Sequence, residues 1–308
     1  MTPEEFEENC RFILYERINK IQNTFHQYGI ENFYVSFSGG KDSTVLSELI
    51  DEAVPGNEIP RVFCDTGIEL NMARDFVRKK AETDSRIQII QPKKNIKKTL
   101  EEVGYPFKSK EHSLFVDVFQ RNGFTKTTKH YLEREAVRFR CPKKLTYQFS
   151  DEFKLRVSPK CCYELKKKPL REWQKENQKP YSIIGIRHEE GGGRLNAGCL
   201  AFKDKKLHGF APLIPIKELW LGWYIKRNNI EICDIYKPPY NFKRTGCKGC
   251  PFNIKLQKEL DTMQEFFPEE RKQCELIWKP VYDEYRRIGY RLKQTEKQND
   301  DEGEAAGK

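Results

Sequence analysis

Apolar residues first recur in a helical rhythm. Phe6, Phe12, Ile13, Ile18 and Ile21 predict an amphipathic helix over residues 3–27. The period then shortens. Phe33-Tyr34-Val35-Ser36-Phe37 reads as a strand, and Thr44-Val45-Leu46-Ser47-Glu48-Leu49-Ile50 continues as a helix that Pro55-Gly56 breaks. Arg61-Val62-Phe63-Cys64 predicts a second strand, residues 70–82 a second helix, and Arg86-Ile87-Gln88-Ile89-Ile90 a third strand closed by Pro92. Residues 105–180 are polar, basic and aromatic without a strand period, and read as a mostly helical insertion. Ser182-Ile183-Ile184-Gly185-Ile186 resumes as a buried strand. This alternation predicts an α/β fold, an open parallel sheet with helices on both faces and a helical basic insertion. One domain is expected over residues 1–292, with a cysteine-containing C-terminal part at 236–292. The tail 293–308 has almost no apolar content and is expected to be disordered.

The chain has 308 residues, 37% hydrophobic and 33% charged, a balance that excludes a wholly disordered chain. No apolar run approaches the roughly 18 residues of a membrane span, and the acidic start MTPEEFEENC has no apolar signal-peptide region. A cytoplasmic location without membrane association is expected; the oligomeric state is not legible. The net charge of +10 gathers in clusters such as Lys93, Lys94, Lys97, Lys98 and Lys166, Lys167, Lys168. Such patches suit polyanions, and equally a solvated surface.

Between the first strand and the next helix stands Ser38-Gly39-Gly40-Lys41-Asp42-Ser43. Two glycines let the backbone turn tightly and approach a ligand, and a helix N-terminus presents N–H groups to an anion. Lys41 adds a positive charge, and Ser38 and Ser43 add hydroxyls. The spacing is not that of the Walker A loop. SGGKDS resembles the PP-loop of the ATP pyrophosphatases, the adenine-nucleotide α-hydrolase-like superfamily. Cys64-Asp65-Thr66-Gly67-Ile68-Glu69 resembles the segment after the second strand in the phosphoadenosine-phosphosulfate (PAPS) reductase family, and Gly185-Ile186-Arg187 that family's GIR motif. The resemblance implies Lys41, Asp42 and Asp65 as catalytic residues. It implies Ser38, Gly39, Gly40, Lys41, Asp42, Ser43, Asp65, Gly67, Glu69, Gly185 and Arg187 as the residues that bind ATP and Mg2+. Arg187 would contact phosphate, assisted by Arg194 in the loop after Gly191-Gly192-Gly193. Glu69 reads equally as a helix N-terminal acid.

Ten cysteines in a reducing compartment point to metal or redox chemistry. Cys161-Cys162, a gap of 84 residues, then Cys247-Lys248-Gly249-Cys250-Pro251 resembles the 4Fe-4S signature of the adenylyl-sulfate reductases. Tyr236-Lys237-Pro238-Pro239-Tyr240 and Arg244-Thr245-Gly246 precede the second pair as in that family. Cys161, Cys162, Cys247 and Cys250 are thus the expected metal ligands, and a zinc ion has the same ligand inventory. Cys10, Cys64, Cys199 and Cys233 read as small core residues. Cys141 and Cys274 stay open.

The chain departs from the sulfonucleotide reductases in two respects. Their loop is degraded, whereas this one is intact, and their C-terminal ECG(I/L)H motif has no counterpart; the last cysteine, Cys274, stands in KQCELIW. An intact loop with a cluster motif is similar to the ATP-pyrophosphatase-type sulfurtransferases, including the DNA phosphorothioation component and cluster-dependent tRNA thiolation enzymes. That resemblance implies cleavage of ATP to AMP and pyrophosphate, adenylation of an acceptor, and sulfur transfer to it. A DNA or tRNA acceptor would lie on the basic insertion, where Lys126, Lys129, Arg138, Arg140, Lys143 and Lys144 stand among Phe124, Tyr131, Phe139 and Tyr147. A cysteine desulfurase would supply the sulfur. The alternatives are a sulfonucleotide reductase that makes sulfite and a non-catalytic nucleotide-sensing or nucleic-acid-binding subunit.

Overall fold

The computed structural model describes residues 2–136, 140–244 and 246–294. Arg138, Phe139, Thr245 and all but the first two residues of the expected tail lie outside these residues. In chain order the regular elements begin with α1 (Pro3–Tyr28), β1 (Phe33–Ser36), α2 (Lys41–Ala53), β2 (Arg61–Cys64), α3 (Asn71–Thr83) and β3 (Ile87–Ile90). They continue with α4 (Ile96–Val103), α5 (Lys110–Asn122), α6 (Lys126–Glu133), α7 (Lys168–Glu176), β4 (Tyr181–Ile183), β5 (Leu200–Lys203), β6 (Lys206–Phe210), α8 (Glu218–Arg227), α9 (Leu256–Phe266) and α10 (Pro268–Arg287). Two compact units result, one from the described residues of Met1–Thr99 and Cys161–Lys248, the other from those of Leu100–Lys160 and Gly249–Lys308.

The first unit holds a six-stranded sheet in the order β3-β2-β1-β4-β6-β5. All neighbours are parallel except β5 on β6. The α/β architecture expected from the sequence is therefore present, with one antiparallel edge. Alternation along β1 explains the two covered faces. Phe33 meets Phe25 of α1 edge-on at 5.0 Å, and Tyr34, on the other face, meets Trp173 of α7 at 5.1 Å. The last stretch of the expected insertion thus belongs to the sheet, because α7 covers Tyr34 and Val62.

β4 stops at Ile183, three residues short of the predicted strand. Ile184 N–H still donates to Phe210 carbonyl oxygen at 2.9 Å, after which the chain leaves the ladder at Gly185. The β5–β6 hairpin was not predicted. Its outer strand, β5, is short and mostly exposed at the sheet edge, and its turn places Asp204 and Lys205 in the left-handed region at φ 50° and 62°.

Because β1 pairs with both β2 and β4, the chain winds outward to β3 and then returns to β1's other side. The C-terminal ends of β1 and β4 form the switch point at which open α/β sheets bind ligands.

The second unit is helical. Phe107 packs edge-on against Tyr285 at 4.6 Å, and Trp278, Val281, Tyr282 and Tyr285 bury one face of α10. His112 is buried within it. Its Nδ1 is 3.0 Å from the Tyr131 hydroxyl and its Nε2 2.7 Å from Gln148 Oε1. Burial lowers its pKa to about 4, so it is a neutral, satisfied core residue.

Candidate nucleotide site

β1 ends at Ser36 and the loop to α2 is shaped by its own serines. Ser38 N–H donates to Ser43 Oγ at 3.2 Å, and Ser43 Oγ donates to Gly40 carbonyl oxygen at 2.9 Å. Gly40 N–H reaches Ser38 Oγ at 3.2 Å. Both expected phosphate hydroxyls are therefore engaged in fixing the loop. Gly39 has φ +66°, and a Cβ there would stand 2.4 Å from Val77 Cγ2 of α3. α2 starts at Lys41 with Gly40 as N-cap and without a side-chain cap, which leaves the first-turn N–H groups without a capping oxygen.

The GIR segment comes against this helix start. A Cβ on Gly185 would lie 3.0 Å from the carbonyl carbon and oxygen of Asp42 and 3.2 Å from Ser43 N. Only glycine permits that approach without a shift. Arg187, almost fully buried, follows two residues on. Its Nε pairs with Asp42, its NH1 lies 2.9 Å from Glu189 Oε2, and its NH2 2.7 Å from Glu218 Oε2. Burial alone would lower the Arg187 pKa; Asp42 and Glu218 outweigh it and hold the guanidinium above its usual range. Lys41 pairs through Nζ with the other Glu218 oxygen, and the Tyr236 ring centre lies 6.0 Å away. The two expected phosphate cations thus converge on one point from adjacent strands. Arg194 is held instead by Glu190 at 3.2 Å.

At the end of β2, Asp65 is buried and its oxygens are already engaged. Gly67 N–H reaches Oδ1 at 3.0 Å, Arg74 bridges both oxygens at 2.8 and 3.0 Å, and Arg78 adds a contact at 3.1 Å. Glu69 accepts from the Thr66 hydroxyl at 2.8 Å and from the Lys166 ammonium at 2.9 Å. It also forms an isolated antiparallel bridge with Cys247, fixed by Lys248 N–H donating to Ile68 carbonyl oxygen at 2.8 Å.

Lys166 lies in a single π-helical turn, Tyr163–Lys167, directly after Cys161-Cys162. Burial alone would lower its pKa; Cys247, Glu69 and Cys162, all close enough to act on it, hold the amine above the usual lysine range. Cys162 and Cys247 thus both act electrostatically on the Lys166 amine, and Cys161, adjacent to Cys162 in sequence, is buried. Cys250 belongs to the second unit, where the Gly249 N–H donates to Glu259 at 2.8 Å and Tyr285 donates to Pro251 carbonyl oxygen at 2.9 Å. Among the described residues, no group of three or more His, Cys, Asp or Glu side chains is assembled as a metal site.

Lys166, Glu189, Glu218, Arg74 and Arg78 went unrecognised in the sequence. Lys166 was visible only as one of three consecutive lysines, and the two glutamates carry no motif. Cys10, Cys64 and Cys233 are buried, as expected, whereas Cys199 is half-buried with Arg17 NH1 at 3.7 Å. Cys274 is fully buried on α10, against Gly249.

A glycine turn at the switch point, an uncapped helix start and two converging cations accompany an α/β architecture of PP-loop type. The phosphoadenosine phosphosulfate reductase domain model matches residues 32–139 and 124–253, more than half of the chain, and the chain belongs to that family. A protein of Methanocaldococcus jannaschii, described as uncharacterized, is 26% identical over 261 residues, which is 83% of this chain and 48% of that relative. The chain thus spans about half the length of the curated relative it matches. The phosphoadenylyl-sulfate reductase of Candida auris is similar at TM-score 0.42 and 14% identity, over 76% of this chain and 91% of its own. The U34-tRNA thiolase of Methanococcus maripaludis, solved with its 4Fe-4S cluster, is similar at TM-score 0.38 and 14% identity, over 91% of this chain and 80% of its own. Neither structural likeness bears on the site. Among the described residues no helix is long and apolar enough to cross a membrane.

Proposed function

We propose that the chain binds ATP at the switch point, cleaves it to AMP and pyrophosphate, and adenylates an acceptor for sulfur transfer. The observation that carries this reading is the convergence of Lys41 and Arg187 on one carboxylate beside the uncapped start of α2. Two cations that meet at one point, beside a helix start with no side-chain cap, would stabilise the charge that builds on a departing pyrophosphate. Mg2+ would be held chiefly by the phosphate oxygens. Asp65 is best read as a positioning residue: bound to Arg74, Arg78 and the Gly67 N–H, it fixes the turn that carries Glu69.

The proposed metal ligands remain Cys161, Cys162, Cys247 and Cys250. Thiols suit a 4Fe-4S cluster or zinc, and the Lys166 ammonium near Cys162 and Cys247 offsets the negative charge of a thiolate-bound group. Such a cluster, when bound, supplies a site for the sulfur to be transferred. The acceptor is proposed to be DNA or tRNA, with a cysteine desulfurase as donor. Exposed Lys126, Lys129, Lys143 and Lys144 of the second unit support a polyanionic acceptor.

Family membership favours sulfonucleotide reduction as the second reading. Against it stands the burial of Cys274, since a nucleophilic thiol must be reachable and able to ionise. Anaerobically purified protein, offered ATP or a sulfonucleotide, tests both. Pyrophosphate from ATP, lost in Lys41→Ala, is the expected result. Sulfite from the sulfonucleotide would replace the first reading with the second, and binding without turnover would leave a nucleotide sensor.

A further inference from the structure

Glu218 is the first residue of α8 and, among the described residues, the carboxylate that grips both cations of the site. One oxygen pairs with the Lys41 ammonium and the other lies 2.7 Å from Arg187 NH2. In sequence these partners are 177 and 31 residues away. A carboxylate that bridges two phosphate-binding cations stands where a phosphoryl group's oxygens would go.

The charges sharpen the point. Asp42, Glu189 and Glu218 face Lys41 and Arg187, so the cluster carries one net negative charge. A polyphosphate approaching it is repelled unless one carboxylate withdraws. Asp42 sits in the first turn of α2 and is held by Arg187 Nε. Glu189 is fixed twice, by Arg187 NH1 at 2.9 Å and by the Glu218 backbone N–H at 2.6 Å. Glu218 has the most exposed side chain of the three, at 55%, and a rotation about its side-chain bonds carries it into water.

We infer that Glu218 is a built-in competitor for the phosphate subsite: it holds Lys41 and Arg187 in place and is displaced when a pyrophosphate-type anion takes both cations. The inference rests on the nucleotide reading above. It also assigns a selectivity to the site. A singly charged anion gains too little from two cations to expel a carboxylate that already satisfies both, whereas a polyphosphate presents several charged oxygens at once.

The test is calorimetric titration with inorganic pyrophosphate, in chelator-treated buffer without divalent metal. Wild type, Glu218→Gln, Glu218→Ala and Lys41→Ala are compared, with thermal unfolding as the check that each is folded. Displacement predicts that Kd falls at least tenfold in both Glu218 variants, since the competing charge is gone. A residue that merely positioned the cations would give the opposite sign. An unchanged or raised Kd in the folded Glu218 variants overturns the inference. Binding insensitive to Lys41→Ala overturns the nucleotide reading itself. Loss of binding in Lys41→Ala without tightening in the Glu218 variants leaves that reading standing and removes only the displacement.

Discussion

The Lys166 ammonium lies 2.9 Å from Glu69 Oε1, and Glu69 in turn accepts from the hydroxyl and N–H of Thr66 at the end of β2. One ion pair thus joins the turn after Cys161-Cys162 to the loop that bridges Cys247. Glu69 is buried, so removing its cation strands a charge. Lys166→Met should destabilise the protein by about 1–3 kcal/mol, below the usual cost for a fully buried pair because Lys166 is partly exposed. Adding Glu69→Gln should recover part of that loss, because the stranded charge is gone. Urea unfolding of the single and double variants measures both; equal midpoints for Lys166→Met and wild type would show the pair to be neutral.

Asp65 gives a pH-dependent expectation. Burial alone would raise its pKa, but Arg74, the Gly67 N–H and Arg78 outweigh burial and hold the carboxyl below its usual range. A depressed pKa means the ionised form is favoured in the folded state. Its stabilisation is therefore complete above the unfolded value of about 3.9 and fades as pH falls through the lower folded value. Asp65→Asn should lose about 1–3 kcal/mol at pH 7, with the gap to wild type closing only at strongly acid pH. A gap that stays constant down to pH 2 would argue against this ion pair as its source.

Gly185 separates shape from charge. An added methyl would meet the Asp42 carbonyl at 3.0 Å, tighter than ordinary contact, on backbone that has no flexible end to yield. Gly185→Ala should cost about 1–3 kcal/mol as overpacking and push the GIR segment away from α2. We expect nucleotide affinity to drop by an order of magnitude or more while the helix content in circular dichroism is unchanged. Wild-type affinity in this variant would mean that the two segments need not touch for binding.

Legibility in the sequence followed the range of the forces. β1, α2, β2, α3 and β3 were readable because their apolar periods are local. The loop at Ser38–Ser43 was readable because one turn chemistry serves one purpose. Glu218 was not, since its meaning lies in contacts 177 and 31 residues away that no local pattern encodes. The β5–β6 hairpin was missed because its edge strand, β5, is mostly exposed and lacks the apolar alternation of a half-buried strand. Lys166 was hidden by its neighbours: three consecutive lysines look alike until the π-helical turn sends one of them to Glu69. Asp65 stands directly after β2, as the pattern implies, but the guanidinium groups on α3 that hold it could not be paired with it from sequence alone.

The cysteines give the last expectation. Cys162 and Cys247 act on the same lysine amine, although 84 residues separate them. Thiolates held close together are readily oxidised unless a metal occupies them. Cys64 differs. Its thiol donates to Leu165 carbonyl oxygen at 3.2 Å, and burial pushes its pKa up to about 12. Protein purified without oxygen should contain iron and acid-labile sulfide in equal amounts and absorb in the visible range. Serine at Cys161, Cys162, Cys247 or Cys250 should each lower the iron content by at least half, while Cys64→Ser should leave it unchanged. Zinc in stoichiometric amount without sulfide would replace the cluster with a zinc site on the same ligands. Iron retained in every single serine variant would remove these four cysteines as the ligand set, and the proposed ATP cleavage at Lys41 and Arg187 would stand or fall separately from either result.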